Sequence, residues 1–286
     1  MRNKAKAVIR LSRPFTLLAP AAGGLLFSYL GYLNNPGNPI KIILTPIILV
    51  LANYTSNVIN QIYDREIDKI NKPYRPIPAG EITVDEANSL AIILTLITLT
   101  LAYTLINKLF GILLTIILLF AWIYSAPPLR LRARLFWGNL AIATPRGGLG
   151  IITAYSSYAN PLNNTSLLIF ALGMAIYVFG ANTFKDFPDE KGDKICGVRN
   201  FVTVYGREDA MRIAQIITII SYLVFIRVID ILLMLPSIAL LGAMLYYGEK
   251  NPELKTKTEN TIMWTLFYIN MAALFTSYLL TVMMQS

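Results

Sequence analysis

The sequence predicts an all-α fold: a polytopic membrane bundle of nine transmembrane helices, N-terminus cytoplasmic and C-terminus outside. Three observations lead there. Of 286 residues, 55% are hydrophobic and 14% charged, with mean hydropathy +0.55, whereas a soluble domain typically carries about 25% charged residues. Apolar runs of about 20 residues, the length of a membrane-crossing helix, recur throughout. The basic residues fall in alternate connections between those runs.

The expected spans are 14–33, 41–63, 86–106, 109–125, 137–158, 165–185, 208–229, 231–247 and 260–284. No soluble module or low-complexity linker separates them, so residues 1–286 read as a single transmembrane domain. The start is basic, then apolar, then rich in small residues, as in a secretory signal peptide. Its apolar part runs to about Leu33, long enough to span, and it reads as the first span.

Charge placement supports the count. Five cations lie in the N-terminal tail (Arg2, Lys4, Lys6, Arg10 and Arg13) and four between the second and third spans. Three lie between the fourth and fifth, six between the sixth and seventh, and three between the eighth and ninth (Lys250, Lys255 and Lys257). The intervening connections hold only Lys41, Lys108 and Arg227, and Arg146 lies inside a span. Such a division, 21 against three, follows the positive-inside rule. The net charge of +9 is mostly this bias. No basic patch is interleaved with aromatics in a soluble module, so nucleic acid is not an expected partner; the lipid bilayer is.

The chain has no His, which excludes His-ligated zinc or haem and His general-base chemistry, and its lone Cys196 can form no disulfide within the chain and no thiolate cluster. Its chemistry must come from acids, amides and cations. These gather in two stretches on the expected cytoplasmic side. In NVINQIYDREIDKINKPYRPIPAG (57–80), Asn60, Asp64 and Asp68 recur every fourth residue, one face of a helix. Asn53 and Asn57 extend that stripe backward. In NTFKDFPDEKGD (182–193), Asp186, Asp189 and Asp193 repeat the idea.

Five carboxylates on facing helix ends repel one another unless protons, salt bridges or divalent cations intervene. Oxygen-only ligands, with Asn60 and Asn182 as side-chain carbonyls, suit a hard cation, and Mg²⁺ more than Ca²⁺ because Mg²⁺ pairs one or two carboxylates with phosphate oxygens. Five carboxylates and a diphosphate of about −3 are offset by two Mg²⁺ together with nearby Arg and Lys. Arg75, Arg130, Arg132 and Lys185 are the candidate cations. Pro188 is expected to kink or end the sixth span, and Pro73, Pro76 and Pro78 to hold 72–80 out of helix. That segment is either a lid carrying Arg75 or a plain rigid turn.

At these residues the chain resembles the UbiA superfamily of membrane-embedded prenyltransferases. The family's N-x-x-x-D-x-x-x-D and D-x-x-D-x-x-x-D signatures read here as NQIYDREID (Asn60, Asp64, Asp68) and DFPDEKGD (Asp186, Asp189, Asp193). The flanks YDREIDKINKPYRPIPAG, YSAPPLRLR (Tyr124 to Arg132) and GDKICGVRNFVTVYG match too, and the likeness spans nearly the whole chain. The first and second flanks lean toward chlorophyll synthases, KDFPDEKGDKICGVR toward homogentisate prenyltransferases.

The resemblance implies Mg²⁺-dependent transfer of a polyprenyl group from an allylic prenyl diphosphate to a lipophilic, quinone-precursor-like aromatic acceptor, with release of diphosphate at the cytoplasmic side of the cell membrane. It implies Asp64 with Asn60 on one Mg²⁺, Asp189 with Asp193 on the other, and Asp68 and Asp186 as ligands or supporting groups. Asn57, Arg75, Arg130 and Lys185 would bind substrate, the cations holding the diphosphate. Asp68 or the released diphosphate would accept the acceptor's proton. Tyr124 either orients a substrate or anchors the helix at the interface. Arg146, in TPRGGLG, either binds a polar group of the acceptor or pairs with an acid, and Gly147, Gly148 and Gly150 beside it allow close helix packing.

Another acceptor leaves this chemistry intact: a glycerol ether phosphate, as in archaeal lipid synthesis, or haem B, as in protoheme farnesyltransferases. A cation-coupled transporter is the alternative from a different class. It would place acids near the bilayer midplane in repeat-related broken helices, whereas these stripes fall at helix ends.

Overall fold

The structure, a computed structural model, describes residues 4–251 and 262–285. Arg2, Lys255, Lys257 and the first two residues of the ninth expected span lie outside them. Among the described residues the fold is entirely helical, with one isolated bridge pairing Arg134 with Arg199. Seven helices are long and apolar enough to cross a membrane: Pro14–Asn34, Ile40–Tyr63, Val84–Ile106, Lys108–Ser125, Thr165–Asp186, Ile231–Lys250 and Ile262–Gln285.

In chain order, α1 (Lys4–Leu11) precedes a 3₁₀ turn, Pro14–Leu17, that leads into α2 (Leu18–Asn34). Next come α3 (Ile40–Tyr63), α4 (Arg65–Asn71), α5 (Val84–Leu101) and α6 (Lys108–Ser125). The fifth expected span is helical but interrupted. Between α7 (Leu135–Ala143) and α8 (Gly150–Tyr155) the chain widens into a π segment, Thr144–Leu149. Pro145 lies in that segment and has no N–H to give the helix.

The sixth span, α9 (Thr165–Ala181), tightens into a 3₁₀ turn at Asn182–Asp186 and is followed by α10 (Glu190–Ile195). The break expected at Pro188 is present and begins six residues earlier, at Asn182. The seventh expected span falls largely in α11 (Phe201–Phe225), which is broken at Gly206 (φ 81°), a conformation that suits glycine. Last come α12 (Ile231–Lys250) and α13 (Ile262–Gln285).

Helix starts are marked where the sequence supplies caps. Thr83 and Glu86 form a capping box at α5, Asn200 and Thr203 one at α11, and Asn107 accepts from the Phe110 amide at 2.9 Å. The most enclosed spanning helix is α9. Around it Phe170 stacks on Tyr278 at 4.2 Å, and Phe27 meets Phe275 edge-on at 5.2 Å. The buried Tyr222 hydroxyl finds partners, Ser237 O at 2.9 Å and Asn270 Oδ1 at 3.0 Å.

Of the three glycines expected to pack, Gly147 is the tightest. A Cβ there would lie 2.5 Å from the Met174 carbonyl oxygen and 2.6 Å from the Ala175 Cα, both backbone atoms of α9. Gly147→Ala is therefore expected to cost about 1–3 kcal/mol, read as a lowered midpoint of thermal unfolding in detergent, with Gly242→Ala, where a Cβ meets nothing within 4 Å, as the silent control.

Candidate active site

Two breaks in helix geometry bring the acidic stretches together. Asp64 ends α3 and opens α4 with φ −93°, ψ 6°, outside the helical region. Asp189, just before α10, keeps a right-handed helical backbone (φ −92°, ψ −4°), the break on that side being the 3₁₀ turn Asn182–Asp186. Asn71 links the two stretches: its Nδ2 donates to the Asp189 carbonyl at 2.7 Å and its Oδ1 accepts from the Gly192 N–H at 2.9 Å. A Cβ on Gly192 would come within 2.6 Å of that amide, so only glycine lets α4 and α10 approach this closely.

Between the stretches opens a cavity. Asn60, Asp64 and Asp189 line it, with Lys72, Arg75, Arg132 and Lys185 around the same end. The wall beyond is apolar and includes the aromatic side chains of Phe120, Tyr124, Trp264, Phe267, Tyr268 and Phe275.

Each carboxylate meets a cation. Arg132 bridges the two motifs, Nη1 lying 2.5 Å from Asp64 Oδ1 and Nη2 3.1 Å from Asp193 Oδ1. Arg75 Nη1 donates to Asp68 Oδ2 at 2.7 Å, Lys185 Nζ to Asp186 Oδ1 at 2.5 Å, and Lys72 Nζ to both Asp189 oxygens. Asn60 Nδ2 donates to Asp64 Oδ2, and Asn200 Nδ2 to Asp193 Oδ2 at 2.8 Å.

Burial and these partners set the charges. Burial pushes the Asp193 carboxyl up to about 7 against the opposing pull of Arg132. It raises Asp68 as well, against Arg75. Burial acts the same way on Asp189, but there the Lys72 ammonium prevails and holds the carboxyl below its ordinary range. Arg132 is disfavoured by burial as a cation, yet Asp64 and Asp193 together hold it well above the usual guanidinium value. It stays charged.

Several of the expected residues sit away from the cavity wall. Asp68 does not line the cavity. The break at Asp64 takes it off the Asn60 face, and it is buried against Arg75. Its carboxylate is held by Arg75 Nη1 rather than facing the cavity. Asp186 and Asp193 also lie outside the cavity wall, Asp193 holding Arg132. Arg130 does not line the cavity. Its backbone is left-handed (φ 38°), and it lines a separate surface pocket with Tyr63, Glu66 and Cys196. Arg132, two residues on, does line the cavity.

Asn57 reaches the cavity wall, but its Nδ2 is spent on Ser12 O at 2.7 Å and Thr16 Oγ1 at 2.9 Å, anchoring the N-terminal segment to α3. Asn182 is buried and donates to Asn139 Oδ1 at 3.3 Å. Tyr124 and Arg146 both line the cavity. Sequence reasoning missed Lys72, Asn71 and Asn139. The only signal for Lys72 was its place between the first motif and Pro73.

Among the described residues, no group of three acidic or thiol side chains is close enough to hold a metal as the chain stands. The donor set nevertheless fits a hard cation. It is made of oxygens, and Asp186 Oδ2 is buried without a hydrogen bond, while Asp64 Oδ1 meets only the Arg132 ion pair. Five carboxylates against four cations leave the end of the cavity nearly neutral. A polyanion that draws the cations to itself would release the carboxylates for a divalent ion.

Comparison with known proteins agrees. The UbiA prenyltransferase family model matches residues 17–280. Digeranylgeranylglyceryl phosphate synthase of Saccharolobus solfataricus is 30% identical over 228 residues, 77% of this chain and 76% of that protein. The bacteriochlorophyll synthase 34 kDa chain of Chloroflexus aurantiacus is 31% identical over 210 residues, 71% of this chain and 66% of that protein. A UbiA homolog from Archaeoglobus fulgidus, solved bound to DMAPP and Mg²⁺, shares the fold with TM-score 0.72 at 21% identity, covering 96% of this chain and 98% of that one.

Proposed function

Because the chain belongs to the UbiA prenyltransferase family, we propose that the two acidic stretches and their cations form an Mg²⁺-dependent diphosphate site, with the aromatic cavity holding the prenyl chain and the acceptor. The chain is a membrane prenyltransferase, an enzyme that moves a prenyl group from its diphosphate to a lipophilic acceptor. The single observation behind the proposed site is the convergence of Asn60, Asp64, Asp189, Lys72, Arg75, Arg132 and Lys185 at one end of an aromatic-lined cavity.

In this reading the bundle has nine spans, the seven helices above plus α7–α8 and α11, within one domain. The N-terminus and the site are cytoplasmic and the C-terminus is outside, as the distribution of Lys and Arg supports. Asn60, Asp64 and Asp189 would hold Mg²⁺, with Asp186 turning its unbonded oxygen toward a second ion. The Mg²⁺ would withdraw charge from the diphosphate oxygens.

The chain's cations do the rest. Lys72, Arg75, Arg132 and Lys185 exchange carboxylate for diphosphate. The allylic C1–O bond then breaks, its electron pair leaving with the diphosphate. Aromatic faces beside Tyr124 stabilise the allylic cation and keep water away. C1 bonds to a nucleophilic carbon or oxygen of the acceptor, whose proton passes to the released diphosphate, since Asp68 is shut away behind Arg75. The preferred acceptor is a quinone-precursor-like aromatic. A glycerol ether phosphate is the second reading, favoured by the likeness to digeranylgeranylglyceryl phosphate synthase.

Chelating divalent ions is expected to reduce transfer from geranyl or geranylgeranyl diphosphate by about a hundredfold or more, and added Mg²⁺ to restore it. Product is followed by mass spectrometry. Full turnover in chelator would remove the metal from the mechanism.

A further inference from the structure

An asparagine serves a metal ion only through its oxygen. The two ends of its amide are nearly alike in shape, and turned the wrong way it presents N–H groups to the cation. A carboxylate has no wrong end. Where amides stand among the carboxylates of a metal site, a neighbour must therefore choose the end that faces inward.

Asn182 lines the cavity as the first residue of the 3₁₀ turn that carries Lys185 and Asp186. Its Nδ2 donates to Asn139 Oδ1 at 3.3 Å. Asn139 belongs to α7, is 2% exposed, and does not line the cavity. Its own Nδ2 donates to the Phe179 backbone carbonyl at 2.9 Å and to Thr183 Oγ1 at 2.8 Å. A backbone carbonyl can only accept, so Phe179, in the last turn of α9, fixes which end of Asn139 is nitrogen. The oxygen of Asn139 then faces Asn182, which must answer with its nitrogen. The Asn182 Oδ1 accepts from no described residue and is the end left for the cavity.

Asn60 in the first motif is turned the same way, its Nδ2 donating to Asp64 Oδ2. There the partner is itself one of the carboxylates of the site. For Asn182 the partner lies outside the cavity, on another span, and is held by main chain.

We propose that Asn139 is a positioning residue of the Mg²⁺ site: through the Asn182 nitrogen it holds the Asn182 carbonyl oxygen toward the cavity as a ligand. The inference rests on the Mg²⁺–diphosphate reading above and adds to it a residue that touches neither ion nor substrate. Without the Asn139 amide, Asn182 is free to swing its N–H groups toward the ion. A carboxylate at the same position would present an oxygen in either orientation.

The test uses the full-length protein in detergent. It reads the Mg²⁺ concentration that half-saturates binding of an unreactive thiolo-diphosphate donor analogue, with thermal unfolding recorded on the same samples. Asn139→Leu should raise that concentration by about tenfold or more. Asn182→Leu, with Asn139 in place, should raise it by about as much, tenfold or more. Added to Asn139→Leu, Asn182→Asp should lower it again by about fivefold or more, whereas alone it should change the wild-type value by less than about threefold. Thr183→Val removes one acceptor of Asn139 but keeps the Phe179 carbonyl. It should lower the unfolding midpoint and leave the Mg²⁺ requirement within about threefold of wild type.

An unchanged Mg²⁺ requirement in Asn139→Leu or in Asn182→Leu overturns the proposal. So does an equal effect of Asn182→Asp in both backgrounds, which would mean that the added charge acts without regard to Asn139. A loss in Thr183→Val as large as that in Asn139→Leu overturns it too, by tying the response to stability alone. Absence of Mg²⁺-dependent analogue binding in the wild type would instead count against the diphosphate site itself.

Discussion

Asp64→Ala and Asp189→Ala are each expected to lower Mg²⁺-dependent prenyl transfer by about a hundredfold to a thousandfold or more, in protein that still purifies folded. Both carboxylates line the cavity, one from each acidic stretch, and both stand among the cations that would take the diphosphate. Removing either takes away a proposed metal ligand and leaves a buried cation with one partner fewer. The effect should fall mainly on kcat, because charge on the leaving diphosphate grows as the C1–O bond breaks. Asp68→Asn is the informative comparison. That carboxylate is buried against Arg75 and does not reach the cavity, so its loss should cost about tenfold, through a misplaced Arg75. Equal losses for Asp64 and Asp68 would return Asp68 to the metal site; full activity in Asp64→Ala or Asp189→Ala would dissolve the assignment.

That contrast between Asp64 and Asp68 also marks what can be read from sequence. The spacing of Asn60, Asp64 and Asp68 implies one helical face, and the backbone hydrogen bonds Asp64 N to Asn60 O and Asp68 N to Asp64 O do continue at 2.9 and 2.8 Å. A change of φ and ψ at one residue is enough to turn Asp68 away, and no residue type at 64 announces it. Clustered prolines are legible, since Pro73, Pro76 and Pro78 keep 72–80 out of helix as expected, but single ones are not: Pro145 interrupts a span expected to be continuous, while Pro46 and Pro236 sit inside unbroken helices.

Cations are not legible in the same way. Lys72, Arg130 and Arg132 all satisfy the inside rule equally well, and only the left-handed turn at Arg130 decides which side chain reaches the acids. Asn71 and Gly192 carry no periodic signal at all, since their role is a contact between two short helices far apart in the chain. Arg146 stood out because a cation in mid-span needs a reason wherever the rest of the fold places it.

Arg132 is where stability and catalysis meet. Its guanidinium joins Asp64 to Asp193, so it ties the two motifs together before any substrate arrives. Arg132→Met leaves two buried carboxylates without that cation, a change expected to cost about 3–5 kcal/mol in stability and to remove a ligand of the diphosphate. Asp193 is already pushed up to about 7 by burial with Arg132 present. Without the arginine it takes up a proton at higher pH still, and the loss of stability should be smaller in mildly acidic buffer, where Asp193 is neutral, than in alkaline buffer. Arg132→Lys keeps one charge but cannot span both acids, so it should recover part of the stability and less of the activity. Arg130→Gln, altered two residues away in a separate pocket, should stay within about threefold of wild type, a change below 1 kcal/mol. Thermal unfolding and turnover measured on the four proteins side by side decide between the two arginines. If Arg130→Gln loses activity and Arg132→Met keeps it, the site has been built around the wrong residue.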